Sequence, residues 1–166
     1  INSEGESGNS EATGDVTGGS EVGGLVGQNE AGTVNSSTAK GTVEGNNRVG
    51  GLVGYNSETR NEGGTVVTSY GTGSVSGDEG VGALVGVNSG DSDITESYAV
   101  GTVSGNRDTG GLIGVNGASI SSSYWDTETT GQSDGVGRGS PDGTTGLTTS
   151  EMQGNSAEEN MDGFDF

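Results

Sequence analysis

Acidic side chains are the residues of this chain with the clearest capacity for chemistry. They include the close pairs Asp91-x-Asp93 and Asp126-x-Glu128, and Asp134 and Asp142 follow in a glycine-rich stretch. Carboxylate oxygens are the ligands that Ca²⁺ prefers. The segment 126–143 is therefore the candidate calcium site, and its candidate ligands are Asp126, Glu128, Asp134 and Asp142. With 24 acidic residues, chance pairs are also expected, and no EF-hand loop is present. We expect no cofactor, with calcium as the alternative.

Aromatic residues give a second candidate site. Tyr70, Tyr98 and Tyr124 occur at matching positions of a repeated pattern, and Trp125 follows the last of them. Stacked rings on a sheet usually cover the core or a sheet face. An exposed aromatic strip could instead dock sugar rings, so the sequence leaves packing and glycan binding both open.

Catalysis has little support in the sequence. The chain contains no histidine and no cysteine, so a nucleophile would lack the usual activating base at neutral pH. A pair of carboxylates could cleave a glycosidic bond, which keeps a fragment of a polysaccharide-active enzyme as a weaker alternative. We expect a protein that is not an enzyme.

Composition narrows the environment and the partners. The 166 residues carry 24 acidic and 5 basic side chains, a formal charge of −19. This charge disfavours binding to nucleic acid and to anionic membranes, and no apolar run reaches the ~20 residues of a membrane span. Strong acidity with a single lysine predicts a protein that works at very high salt, where self-repulsion is screened. The alternative is an ordinary acidic secreted protein that uses calcium.

The elements that must position these residues are revealed by a repeat. Four phrases start 27, 32 and 28 residues apart, and an asparagine follows each by two residues. The phrases are Gly24-Leu25-Val26-Gly27, Gly51-Leu52-Val53-Gly54, Ala83-Leu84-Val85-Gly86 and Gly111-Leu112-Ile113-Gly114. Each repeat holds about three short stretches rich in valine, threonine and tyrosine, separated by turn residues. This pattern predicts an all-β fold, a β-solenoid of about four stacked coils.

The repeat predicts three columns of stacked side chains. The asparagines are expected to form a structural ladder at one corner, and their positions are Asn29, Asn56, Asn88 and Asn116. The valine-type residues of the phrases should stack in the core, as should Val43, Val75 and Val103. Neighbours in a strand face opposite ways. The adjacent leucines should therefore form an apolar association strip, covered by the same chain or by a partner, at Leu25, Leu52, Leu84 and Leu112.

The two ends of the pattern divide the chain. Residues 1–121 are expected to form the solenoid, and residues 122–166 a divergent C-terminal cap or the start of a following segment. Thr148 and Glu151 have the spacing of a capping box, which predicts a short helix over 149–160 that plugs the open end. The polar insert 58–64 is expected to be a loop at one corner. Asn35-Ser36-Ser37 is the one glycosylation sequon, so Asn35 is the candidate acceptor.

The phrases "VGGLVGYN", "ESYAVGTVSG" and "GGLIGVN" resemble the GLUG repeat, over roughly residues 10–126. The tail is similar to the segment that closes such arrays in haloarchaeal examples, in which the piece like Met161–Phe166 runs on into further sequence. The resemblance implies an extracellular or cell-surface protein with an adhesive or structural role, and it implies no catalytic residues. We therefore expect a stiff acidic spacer or filament-forming unit that self-associates or binds other surface proteins. Carbohydrate binding by the tyrosine column is the alternative.

Overall fold

The chain winds into a four-sided parallel β-solenoid, in which each circuit, here called a coil, lies on the one before it. The structure is a computed structural model that describes residues 1–60 and 62–164. Asn61 of the predicted loop, and Asp165 and Phe166 of the predicted cap, lie outside the described residues.

The strands are short, as expected for a chain that turns a corner every few residues. In chain order they are β1 (Asn2–Ser3), β2 (Glu6–Gly8), β3 (Glu11–Ala12), β4 (Val16–Thr17), β5 (Ser20–Gly23), β6 (Val26–Glu30), β7 (Thr33–Asn35), β8 (Thr38–Ala39), β9 (Val43–Glu44), β10 (Asn47–Gly50), β11 (Val53–Ser57), β12 (Thr65–Val67), β13 (Tyr70–Gly71), β14 (Val75–Gly82), β15 (Val85–Asn88), β16 (Asp93–Thr95), β17 (Tyr98–Ala99), β18 (Val103–Gly110), β19 (Ile113–Asn116), β20 (Ser119–Ser121), β21 (Ser123–Asp126), β22 (Val136–Gly139) and β23 (Thr144–Leu147). The helices are α1 (Thr127–Thr130) and α2 (Gly154–Asn160).

Four stacked sheets form the sides of the solenoid. Sheet A has the order β1-β6-β11-β15-β19-β22, and sheet B has the order β2-β7-β12-β16-β20. Sheet C runs β23-β21-β17-β13-β8-β3, and sheet D contains β4, β5, β9, β10, β14 and β18. The all-β solenoid and its four complete coils are as predicted. Each coil has four strand-bearing sides, whereas the sequence suggested about three strands, because the glycine-rich approach to each phrase also pairs.

The predicted core columns are confirmed by the strand register. Val53 pairs with Val26 and Val85, and Val85 pairs with Ile113. Val75 likewise pairs with Val43 and Val103. These side chains belong to one buried apolar cluster that runs through the solenoid. A narrow core of small β-branched residues is enough, because the backbone hydrogen bonds are satisfied between coils.

The corners use left-handed backbone at residues other than glycine. One such column contains Asn9, Ser36, Thr68, Glu96 and Ser122, with φ between 42° and 49°. Each bend is stabilised from the neighbouring coil, since the Ser36 N–H donates to the Val67 carbonyl at 3.1 Å and the Thr68 N–H to the Thr95 carbonyl at 3.2 Å. Stacking therefore offsets the strain that an isolated residue would have in this conformation.

Parallel pairing continues beyond residue 121. Strand β21 pairs with β17, β22 pairs with β19, and β23 pairs with β21. The ladders therefore extend to Leu147, and α1 and the segment after Leu147 are the parts that leave the sheets. The predicted polar loop lies between β11 and β12, where Thr59 and Glu62 form an isolated antiparallel bridge.

The C-terminal helix is shorter than predicted. The capping-box bonds do form, because the Thr148 N–H and hydroxyl both donate to Glu151 Oε2 at 2.8 Å. Both bonds lower the pKa of Glu151, and the bond from the Thr148 backbone N–H has the larger effect. These bonds close only a single turn. The helix begins later, at Gly154, because the left-handed φ of 57° at this glycine separates the helix from that turn. The helix also does not plug the solenoid, since its Ala157 packs with Tyr124 on the outside of sheet C.

Candidate functional site

A row of buried asparagine amides runs along sheet A. Hydrogen bonds join the rungs, with each Nδ2 donating to the Oδ1 of the next coil at 2.8, 2.9 and 3.0 Å. The rungs are the predicted Asn29, Asn56, Asn88 and Asn116, which are at most 4% exposed. Each Nδ2 also donates to a backbone carbonyl at the corner, such as that of Gly64 at 2.9 Å. The amides therefore form hydrogen bonds both to the backbone at the corners and to the asparagine of the next coil.

The ladder has one rung more than the sequence analysis found. Asn2 donates from Nδ2 to Asn29 Oδ1 at 2.8 Å and pairs with Asn29 in the strand register. The first coil lacks the glycine-leucine phrase, so Asn2 cannot be aligned with the other asparagines through that phrase. The spacing of 27 residues before Asn29 is the signal that could have identified Asn2.

A serine ladder that the sequence analysis missed lies beside the tyrosine column. The N–H of Ser37 donates to Ser69 Oγ at 3.0 Å, and that of Ser69 donates to Ser97 Oγ at 3.2 Å. Each hydroxyl donates in turn to the carbonyl two residues earlier, at 2.8 Å for Ser69 and Val67. Serine recurs immediately before the tyrosine position in every repeat, and this recurrence was the available signal.

The leucines do not form a separate association strip opposite the valines, and this prediction is corrected by their burial in the valine core. Leu52, Leu84 and Leu112 are 0% exposed, and Leu25 packs against the same cluster. The expected alternation fails because the phrase is a corner. The N–H groups of Leu52 and Val53 both donate to the Leu84 carbonyl, at 2.9 and 3.1 Å, whereas successive N–H groups of a regular strand point in opposite directions. Leucine and valine therefore both face the core.

Glycine makes this corner possible by allowing close backbone approach. A Cβ at Gly50 would lie 1.9 Å from the Val53 carbonyl oxygen, and one at Gly51 would lie 2.0 Å from the Ala83 oxygen. No side chain fits at such distances. The glycines of the phrase therefore set the corner that turns the leucines inward.

The tyrosine column lies on the outer face of sheet C and is partly covered by the tail. Tyr70 and Tyr98 stack with ring centroids 4.8 Å apart and planes 6° from parallel. Phe164 contacts Tyr98 and Tyr124 edge-on at 5.7 and 5.9 Å. Burial raises the pKa of both Tyr98 and Tyr124, and the nearby Tyr70 adds to the effect at Tyr98. The contacts support the packing interpretation, and the half-buried Tyr70 is the ring outside the Phe164 contacts.

Trp125 is placed on the opposite side of its strand and is not part of a surface strip. It is 7% exposed and belongs to the core cluster. The ring lies so close to Gly111, Gly135 and Gly146 that a Cβ at any of them would be within 2.3–2.6 Å of it. Its Nε1 donates to the Gln132 carbonyl at 3.1 Å. The indole fills the interior of the last coils, because alternation along β21 directs Tyr124 outward and Trp125 inward.

The four predicted calcium ligands do not form one group, although Asp126 and Glu128 both accept from Thr149, with Glu128 Oε2 accepting from its N–H at 3.0 Å. Asp126 is 2% exposed and caps α1, accepting from the Glu128 and Thr129 N–H groups at 2.9 and 3.0 Å. Its second oxygen accepts from the Thr149 hydroxyl at 2.7 Å. Asp134 and Asp142 are exposed and bond to serine hydroxyls in their own loops. Within residues 1–60 and 62–164, no three acidic side chains form a group that could hold a metal ion.

The candidate glycosylation site is accessible in part. Asn35 is half-buried at the end of β7, and its Oδ1 accepts a bond from the exposed Ser36 at 2.8 Å. Ser37, the hydroxyl residue of the sequon, is buried in the serine ladder. Attachment of a sugar at Asn35 stays a prediction.

The five basic residues all form ion pairs that link coils. Four of them reach acids one coil earlier, namely Lys40–Glu11 at 3.1 Å, Arg48–Glu21 at 2.6 Å, Arg107–Glu79 at 2.6 Å and Arg138–Asp108 at 3.2 Å. Arg60 lies 3.9 Å from Glu4. The side chains in these pairs are between 22% and 89% exposed, so each pair is worth about 0–1 kcal/mol. The strand register places Arg48, Arg107 and Arg138 at or beside the edge where sheet D meets sheet A.

That edge contains a groove, here called the arginine groove, with a volume of about 300 Å³. Its lining residues are Asn47, Arg48, Glu79, Gly80, Val87, Val115 and Arg138. It lies where sheet D turns into sheet A, next to a second column of left-handed residues that includes Arg48 and Gly80. The groove is not predictable from the repeat pattern, because its residues are contributed by four different coils.

Two segments, residues 18–44 and 77–104, match the GLUG motif. Each segment runs from sheet D through one full coil, so the match follows the structural repeat. These two segments, which make up about a third of the chain, are therefore similar to the GLUG repeat. It matches no curated protein and no solved structure at a significant level. No helix among the described residues is both long and apolar enough to cross a membrane.

Proposed function

We propose that these GLUG-like repeats form a non-catalytic, load-bearing module of a larger extracellular or cell-surface protein, in which they act as a stiff acidic spacer. The observation that carries the proposal is the continuous asparagine ladder, which runs from Asn2 to Asn116 and ends on the Ser140 carbonyl at 2.9 Å. With a rise of ~4.8 Å per coil, the six strands of sheet A span about 24 Å along the axis. Each rung adds side-chain bonds to the backbone bonds of the sheet.

The charge supports a role at high salt. A net charge of −19 keeps copies soluble and apart in dilute buffer, and salt screens the repulsion within the fold. Adhesion would then depend on exposed loops, on the solenoid ends or on neighbouring domains of the parent protein. Glycan binding by the tyrosine column has less support, since the tail contacts Tyr98 and Tyr124.

Single-molecule pulling tests the load-bearing role. With handles attached near residues 1 and 147, we expect the chain to resist extension and then to break in discrete force peaks. Asn88→Ala should lower the rupture force, and the exposed Asn106→Ala should not. Smooth extension without a peak would refute the proposal, as would equal rupture forces for the two variants.

A further inference from the structure

The arginine groove combines features that suit a ligand. Its volume of about 300 Å³ lies at the lower end of the range of about 300–1,000 Å³ for ligand pockets. The floor is apolar, formed by Val87 and Val115, which pair in the register of sheet A with their side chains outward and half-buried. Besides two arginines, the polar residues of the lining are Asn47 and Glu79, and Glu79 also pairs with Arg107 at 2.6 Å.

Two of the five cations of a strongly acidic chain line this groove. Arg48 and Arg138 lie three coils apart, which at a rise of ~4.8 Å is about 14 Å along the axis. Arg48 also lies over the Tyr55 ring, 4.5 Å from its centroid, so its guanidinium is held in place. Both arginines are solvent-exposed, with ion-pair partners, Glu21 and Asp108, that belong to the preceding coil.

We propose that the arginine groove binds a short acidic oligosaccharide. Carboxylates repeated along the sugar chain would pair with Arg48 and Arg138, because guanidinium groups bind carboxylates through charge-assisted hydrogen bonds. Sugar hydroxyls would donate to Glu79 and bond to the Asn47 amide. The C–H faces of the sugar rings would lie on Val87 and Val115. This binding goes beyond the spacer role, and either could hold without the other.

A sugar fits the lining better than an acidic peptide does. Glu79 already accepts a hydrogen bond from Arg107 at 2.6 Å, but a carboxylate has further acceptor positions, and its charge would repel a second carboxylate placed beside it. Several hydroxyl groups supply donors next to each carboxylate of a sugar acid, whereas a glutamate residue of a peptide supplies only its backbone N–H. The apolar floor also matches the alternating polar edges and apolar faces of sugar rings.

The test is titration of the intact chain with trigalacturonate, measured by calorimetry and by amide NMR shifts at about 0.15 M NaCl, where the Debye length is about 8 Å. We expect binding with shifts at Gly80, Val87 and Val115. Arg138→Gln should weaken the affinity at least tenfold, which is about 1.4 kcal/mol. Arg60→Gln is the matched control, since it removes the same charge from a residue outside the groove and should change the affinity less than twofold.

Two further ligands test which class of ligand the groove binds. Neutral galactotriose and a hexaglutamate peptide should both bind at least tenfold more weakly than trigalacturonate. Equal binding of galactotriose would show that the arginines do not select the ligand, and equal binding of hexaglutamate would show a general anion patch. Either result overturns the proposal, as does an absence of binding up to about 1 mM. An equal loss in Arg138→Gln and Arg60→Gln would overturn it too.

Discussion

Replacing Asn88 with alanine tests whether the asparagine ladder stabilises the solenoid. Asn88 is 0% exposed and lies in the middle of the stack. Its Nδ2 donates to Asn116 Oδ1 at 3.0 Å and to the Ser119 carbonyl at 3.2 Å, and its Oδ1 accepts from Asn56 Nδ2 at 2.9 Å. The substitution removes all three bonds.

The expected cost follows from which partners remain bonded. Asn56 keeps its bond to the Gly64 carbonyl at 2.9 Å, and Asn116 Oδ1 keeps the Ala118 N–H at 3.3 Å. The Ser119 carbonyl loses its Asn88 bond at an exposed strand end. At about 1 kcal/mol net for each bond, with a small cavity added, Asn88→Ala should lower the free energy of unfolding by about 2–4 kcal/mol.

Denaturant unfolding at fixed molar salt measures this cost, with Trp125 as the single tryptophan probe. Asn106→Ala is the control, because Asn106 is exposed and makes a bond to Asp78 at 2.9 Å. We expect the control to change stability by no more than about 0.5 kcal/mol. If Asn88→Ala were no more destabilised than Asn106→Ala, the ladder would contribute nothing to stability and the argument would be wrong.

Four further outcomes are expected. Thr109 pairs with Val81 of the preceding coil, and its hydroxyl is buried without a hydrogen-bond partner among the described residues. Thr109→Val should therefore raise the free energy of unfolding by about 1 kcal/mol, measured by denaturant titration. Val85→Asp should cost about 3–5 kcal/mol in the same assay, whereas the outward-facing Val87→Asp should cost much less, and equal costs would contradict the register. The pKa of Tyr98 is raised from 10.0, so the stability that its protonated phenol contributes should be full below pH 10 and fall as pH rises through the folded-state value. Melting temperatures of Tyr98→Phe should show less of this fall, and identical profiles would argue against it. Finally, the circular dichroism signal of the sheets should decrease as NaCl falls from about 1 M to about 10 mM, because the Debye length then grows from about 3 to about 30 Å and the acidic side chains repel one another. An unchanged spectrum would contradict the high-salt interpretation.

The sequence by itself determined the architecture and the columns that define it. A solenoid repeats one supersecondary unit, so the spacing of the four phrases translates directly into strand register. The pairing of Asn56 with Asn88 and of Val53 with Val85 was therefore predictable from alignment of the repeats. Asparagine could be assigned to a ladder because an amide both donates and accepts, which suits a column of identical residues.

Tertiary structure decided what each column faces. Leu52 turns inward because the glycines before it allow a corner, and a period of two holds only inside a regular strand. Trp125 faces the core because of where β21 begins along the chain. Tyr124 is covered by the C-terminal tail, which contains no repeat from which its position could be predicted. The arginine groove joins Arg48 and Arg138, which are 90 residues apart in the chain. Sequence periodicity specifies neighbours along the axis, whereas grooves and covers form across the sides, where the solenoid's corner angles set the distances.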